Sequence, residues 1–115
     1  MSYHLLVLVL NKTECLEELL EALYEQGHTG ATILDSRGMA QSLSDHEDLP
    51  FLASLRLLLD PDHRENKTVF MVVEPSRIAE ISAIVNRVTG GLDRPDTGIL
   101  FTIPVQSVEG LGGTQ

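Results

Sequence analysis

The sequence predicts a single domain, residues 1–115, in the α+β class with a ferredoxin-like βαββαβ topology. We expect an antiparallel four-stranded sheet with two helices on one face and an extra short helix after the second strand. Four short segments are apolar or β-branched over the length of a strand, and two longer segments repeat apolar residues at helical spacing. These segments alternate in the order that the topology requires, in a chain too short to hold two independent cores.

The first strand and helix are predicted from an apolar run followed by a leucine stripe. Residues 4–10 are continuously apolar after His4 and end at Asn11, which favours a strand buried on both faces. Asn11 stands three residues before Glu14, a capping-box spacing, and Thr13 is the competing N-cap. Glycine suits the left-handed position after a helix, so the helix should end at Gly27. Its apolar stripe consists of Leu16, Leu19, Leu20 and Leu23, with Cys15 at its border as a core residue.

The second strand is predicted at residues 31–36, where β-branched side chains occur, and Gly38 marks a bulge or the strand end. Residues 40–49 are polar without periodicity and predict a loop. Pro50 can then open a short helix over residues 50–59, although a strand remains an alternative there. That helix either packs on the edge of the domain or offers an apolar face to a partner, formed by Phe51, Leu52, Leu55 and Leu58.

The second half of the chain repeats the order of strand, helix and strand. Residues 68–73 predict the third strand, and a helix should begin around residues 74–76, because proline is tolerated in a first helical turn. Gly90 and Gly91 end that helix, residues 92–98 form a turn-rich loop, and residues 99–103 predict the fourth strand. Pro104 is expected to end strand pairing. The stripe of the second helix consists of Ile78, Ile81, Ile84, Val85 and Val88.

The predicted strands are apolar on both faces, whereas two helices can cover only one face of a sheet. The other face must be buried by something else, because soluble proteins rarely expose large contiguous apolar patches. Self-association is the simplest solution.

Composition excludes several classes of protein. Eight Lys and Arg against 17 Asp and Glu give a net charge of −9, which repels nucleic-acid phosphates and argues against a DNA or RNA binder. A single cysteine excludes an intrachain disulfide and fits a reducing compartment. The apolar run at residues 5–10 has no basic segment before it and is too short to span a bilayer, so we expect a cytoplasmic protein.

Four segments, 27–33, 37–39, 89–91 and 97–105, together resemble the PII signal-transduction family, the nitrogen-regulatory superfamily, and especially its divergent PII-like members. The resemblance spans nearly the whole chain in order and spacing. It implies a non-enzymatic regulator that forms a homotrimer with the sheets facing inward. Such a protein would sense a small effector at clefts between subunits and report through residues 38–50 to a partner such as a transporter or metabolic enzyme.

The resemblance also implies where the effector binds, although it leaves the cofactor unknown. In the family the loop after the second helix cradles nucleotide phosphates. Here Asp96 to Ile99 lacks the family's lysine, and residues 109–113 replace a basic pair, so we expect ATP to bind weakly or not at all. Arg37 and Arg94 are the nearest cations that the sequence offers. The candidate binding residues are Thr29, Gly30, Arg37, Gly38, Gly90, Gly91, Arg94 and Gly98.

The alternative function is a divalent-metal-binding or small enzyme-like protein of the ferredoxin fold. His46 stands among Asp45, Glu47 and Asp48, which is either a weak metal site or simply a solvated acidic loop. No two histidines have the i, i+4 spacing of a helical metal site, and no Gly-x-Ser-x-Gly nucleophile motif occurs. The sequence therefore gives no support to catalysis.

Overall fold

A computed structural model describes residues 2–39 and 65–111. The described part is an α+β sandwich in which one antiparallel four-stranded sheet carries two helices on one face, which confirms the predicted fold class. The predicted loop at 40–49 and helix at 50–59 lie outside the described residues. The elements are β1 (Tyr3–Leu10), α1 (Leu16–Glu25) after a 3₁₀ turn at Thr13–Cys15, β2 (Thr32–Ser36), β3 (Asn66–Val73), α2 (Ile78–Thr89) after a 3₁₀ turn at Pro75–Arg77, and β4 (Gly98–Val105).

The strands lie in the order β2-β3-β1-β4, so β1 and β3 are central and β2 and β4 are edge strands. Leu8 of β1 stands opposite Val69 of β3 on one side and Leu100 of β4 on the other. The predicted end of pairing at Pro104 is wrong, since Pro104 lies within β4 opposite His4. An edge strand tolerates proline because an N–H that points away from its single neighbour needs no ladder partner.

The core lies between the sheet and the two helices. Side chains alternate along a strand, so Leu6, Leu8 and Leu10 of β1 share the helix-facing side with the residues opposite them. Both helical stripes meet this layer, and the buried Cys15 confirms its assignment to the core. The central apolar cluster consists of Leu6, Leu8, Leu10, Leu19, Leu23, Val69, Met71, Val73, Ile81, Ile84 and Val85.

The ends of the helices differ partly from expectation. Gly90 follows α2 with a φ of 90°, and Gly27 has a φ of 84°, as predicted for glycines that end helices. The predicted side-chain caps on the first helix are absent: its 3₁₀ turn begins after Lys12 with no side-chain cap bond. The Asn11 side chain instead accepts a hydrogen bond from Asn66 Nδ2 at 3.2 Å.

The edge strand β2 is exposed along most of its length and is held to β3 at its end by charge. Asp35 stands directly opposite Lys67, and the two side chains form an ion pair. The hydrogen bond that the Lys67 ammonium donates to Asp35 raises the pKa of Lys67 above its usual range. None of the helices within the described part of the chain is long and apolar enough to span a membrane.

Candidate functional site

The predicted site residues fall at two opposite ends of the sheet. We call the end where Leu10 and Ser36 finish their strands and Gly98 begins β4 the loop end. We call the opposite end, where β1 begins at Tyr3 and β3 finishes at Val73, the cleft end. Six of the eight predicted residues lie at the loop end, namely Arg37, Gly38, Gly90, Gly91, Arg94 and Gly98.

The remaining two, Thr29 and Gly30, lie at the cleft end, where they line a concave surface with residues of β3. The eight residues of β3 separate the two ends by about 25 Å at about 3.3 Å per residue. One chain therefore cannot bring all eight predicted residues around a single small molecule. A site that uses both ends needs a second copy of the chain.

Three backbone N–H groups of the glycine-rich loop at 89–98 already donate hydrogen bonds to other groups of the protein. The N–H of Gly90 donates to the Asn86 carbonyl at 3.1 Å, and the N–H of Arg94 donates to the Gly91 carbonyl at 3.2 Å. The N–H of Leu92 donates to Asn86 Oδ1 at 2.8 Å. Two of these N–H groups are directed back at Asn86 of α2 and the third bonds within the loop, whereas a phosphate cradle must point its N–H groups at the ligand.

Acidic side chains near the loop also disfavour the binding of an anion. A Cβ placed on Gly91 would lie 2.5 Å from Asp93 Oδ1, so a carboxylate rests directly against the loop backbone. Asp96 follows three residues later with a φ of 57°. Carboxylates beside the loop repel phosphate groups, so the residues present do not fit the polyphosphate of a nucleotide.

Lys12 is a cation at the loop end that the sequence analysis missed. Its Nζ donates to the Thr89 carbonyl at 3.0 Å, where a positive charge is favourable at the C-terminus of α2. The N–H groups of Asn11 and Lys12 both donate to the Thr97 carbonyl, at 3.0 and 3.1 Å, which fixes the start of this segment against the loop. Lys12 therefore connects the C-terminus of α2 to the segment that follows β1.

A polar cluster holds the end of β2, where Arg37 and Gly38 leave the sheet. Ser36 Oγ lies 2.7 Å from Thr68 Oγ1 and 2.5 Å from Asn66 Oδ1. Asn66 Nδ2 is in turn close to Gly38, since a Cβ on that glycine would lie 3.8 Å away. The cluster fixes the point at which the chain enters residues 38–50.

The cleft end contains a hollow of about 320 Å³. Its floor includes the buried Met71 and Val73, and its rim includes the exposed Thr29, Glu74 and Arg77. Glu74 and Arg77 were absent from the predicted site, because the sequence presents them only as residues around a helix start. The full lining is Tyr3, Gly27, His28, Thr29, Gly30, Met71, Val72, Val73, Glu74, Arg77 and Leu111.

His28 anchors the turn that carries Thr29 and Gly30. Its side chain is buried, and its Nε2 lies 3.0 Å from Glu80 Oε1 of α2. The His28 N–H also donates to the Leu23 carbonyl at 2.9 Å, at the end of α1. The wall of the cleft is thus tied to both helices, which gives a ligand a preformed surface.

Within residues 2–39 and 65–111, no group of three or more His, Cys, Asp or Glu side chains is placed to hold a metal ion. His46 and its acidic neighbours, the basis of the metal-binding alternative, lie outside the described residues.

Comparisons with known proteins identify similar folds among solved structures but no similar sequence. No protein-family model matches the chain, and no curated protein sequence matches it. Among solved structures, Arabidopsis thaliana PII bound to citrate is similar with a TM-score of 0.66 and 13% identity, over 99% of this chain and 87% of that one. A functionally unknown protein from Pediococcus pentosaceus is similar with a TM-score of 0.63 and 15% identity, over 95% and 97% of the two chains. The chain therefore has a PII-like fold, as its sequence resemblance implies.

Proposed function

We propose that this protein is a non-enzymatic, cytoplasmic PII-like regulator that forms a homotrimer and binds a small effector at clefts between its subunits. It reports the bound state through residues 38–50 to a partner such as a transporter or metabolic enzyme. The observation that supports this proposal most directly is the face of the sheet opposite the helices, which we call the open face.

The open face is mostly apolar, and its strand residues carry no charge. Side chains on it alternate with those of the core, so it includes Val7 of β1 and the residues opposite, Phe70 and Phe101. The exposed fraction is 63% for Ile99, 45% for Phe101 and 47% for Ile103. The strand residues on this face are Tyr3, Leu5, Val7, Val9, Thr32, Leu34, Ser36, Asn66, Thr68, Phe70, Val72, Ile99, Phe101, Ile103 and Val105.

A second copy of the chain is the occupant that this face fits. Interface cores differ from the remaining protein surface in having few charged residues. The open face shows this depletion of charge in a chain whose net charge is −9. Copies that meet through such faces bury apolar area without burying a charge. A closed ring of three such contacts leaves no open face exposed.

The distribution of the predicted site residues also supports an assembly. The loop end and the cleft end lie at opposite ends of the sheet in one protomer. In a ring, the loop end of one copy can lie against the cleft end of its neighbour. The effector site is then completed only in the assembled protein. Binding at such a site reports on, and stabilises, the assembly.

Deletion of residues 42–48 tests the reporting role. We expect the trimer and its melting temperature to be nearly unchanged, because closure entropy depends only weakly on loop length. A partner that copurifies with the full-length protein from the native cell extract should no longer do so. Light scattering, thermal melting and mass spectrometry of the copurified material measure the three outcomes. Equal recovery of the same partner with the deletion variant would refute reporting through this segment.

ATP and ADP are expected to bind more weakly than about 1 mM, a binding free energy of about −4 kcal/mol. The backbone donors at Gly90, Leu92 and Arg94 are already used, and Asp93 lies against Gly91. Calorimetry with each nucleotide, with and without magnesium, measures this on the assembled protein. Tight magnesium-dependent binding of ATP would show that the loop rearranges into a phosphate cradle.

A further inference from the structure

We propose that the hollow at the cleft end binds a small zwitterion, a molecule in which an apolar body carries one carboxylate and one ammonium group, such as a free apolar α-amino acid. This assignment rests on the proposed function, because it names the effector class of one half of the proposed site.

Two opposite charges on the rim are free to meet a ligand. Glu74 and Arg77 are both exposed, and the Arg77 N–H donates to the Glu74 carbonyl at 3.0 Å, which sets them one tight turn apart. Among the described residues, neither side chain has a hydrogen-bond or ion-pair partner, and they do not pair with each other. The guanidinium suits a carboxylate through paired N–H donors, and the Glu74 carboxylate suits an ammonium group.

The buried histidine of the cleft is already engaged. His28 lies buried with its Nε2 against Glu80, so this pair holds the wall and leaves the rim charges to the ligand. The floor of Met71 and Val73, with Leu111 beside it, offers apolar surface and no charge. A volume of about 320 Å³ suits a molecule at the small end of the ligand range.

The charge of the chain and of the cleft rim also limits which ligands can bind. The chain carries −9, and Glu74 stands on the cleft rim, so a multiply charged anion is repelled there. A simple cation would meet the unpaired guanidinium of Arg77. A zwitterion has no net charge and pairs with both rim groups, whereas a neutral molecule would pair with neither.

Calorimetry on the full-length protein with L-leucine and two matched analogues tests the proposal. The analogue 4-methylpentanoate lacks the ammonium group, and 3-methylbutylamine lacks the carboxylate. We expect L-leucine to bind at least tenfold more tightly than either analogue. L-valine and L-methionine extend the series to a shorter and a longer apolar body.

Variants assign the binding to the two rim residues. Arg77→Gln and Glu74→Gln should each weaken the binding of L-leucine at least tenfold. Arg87→Gln should leave binding unchanged, since Arg87 is exposed on α2 and lies outside the cleft. Circular dichroism checks that each variant is folded; all three changes are at exposed positions.

Three results would overturn the proposal. They are failure of all three amino acids to bind, equal affinity for 4-methylpentanoate and L-leucine, and unchanged leucine affinity in Glu74→Gln. Light scattering on the same samples separates this proposal from the wider one. A trimer that binds none of the amino acids contradicts only the cleft assignment, whereas a stable monomer contradicts the proposed function itself.

Discussion

Phe101→Glu is expected to convert the trimer to monomers. Phe101 lies on the open face opposite Val7, and 45% of it is exposed in the isolated protomer. In the proposed trimer this position is buried in every copy, and an unpaired carboxylate in an apolar interface costs several kcal/mol. Sedimentation velocity or light scattering at micromolar protomer concentration should give the mass of three chains for the wild type and of one chain for the variant.

Tyr24→Glu is the matched control for that experiment. Tyr24 is an aromatic residue of α1 with 72% of its surface exposed, on the side of the domain that faces away from the sheet. The same change of an exposed aromatic residue to glutamate should leave its variant trimeric. A wild-type protein that stays monomeric, or a Phe101→Glu variant that keeps the mass of three chains, would remove the open face as the interface.

Ile81→Ala is expected to lower the free energy of unfolding by about 2–5 kcal/mol. Ile81 of α2 has no exposed surface and belongs to the cluster that joins both helices to the sheet. Removal of its outer carbons leaves a cavity that the surrounding leucine and valine side chains fill only in part. That loss is a large share of the about 5–15 kcal/mol that stabilises an ordinary domain.

Urea unfolding at one fixed protomer concentration measures this loss, because assembly makes apparent stability depend on concentration. Ile81→Val removes a single methyl group and should cost only about 0.5–1.5 kcal/mol. Equal unfolding midpoints for Ile81→Ala and the wild type would mean that α2 contributes little to the core.

The strands and helices were largely predictable because their signals are local. The spacing of Leu19 and Leu23, and of Ile81 and Val85, matches the helical repeat, and the structure buries all four. The end of β4 is predicted less well: the sequence places it before Pro104, because proline cannot donate to a central ladder. The edge position of β4 cannot be read from its own residues, since strand order is set by the packing of the whole sheet.

The candidate site was predictable only in part, for a related reason. The glycines after α2 mark a tight turn, and the structure confirms that turn at Gly90. Whether its N–H groups face a ligand depends on acceptors such as Asn86 Oδ1, six residues before Leu92. The cation at the loop end, Lys12, is 77 residues from its partner Thr89, and no local pattern connects the two.

The sequence by itself determined the order of the elements, the two helical stripes and the excess of apolar strand surface, because these follow from the repeat of side chains along each segment. Only the tertiary structure decided which strands are central and that N–H groups of the glycine-rich loop donate to Asn86 and Gly91. It also decided that Glu74 and Arg77 line the cleft with Thr29 and have no side-chain partner among the described residues. Those properties depend on residues far apart in the chain that meet only when the sheet assembles. The physical reason is that hydrogen bonds and charges act over a few ångströms of space, whatever their separation along the chain.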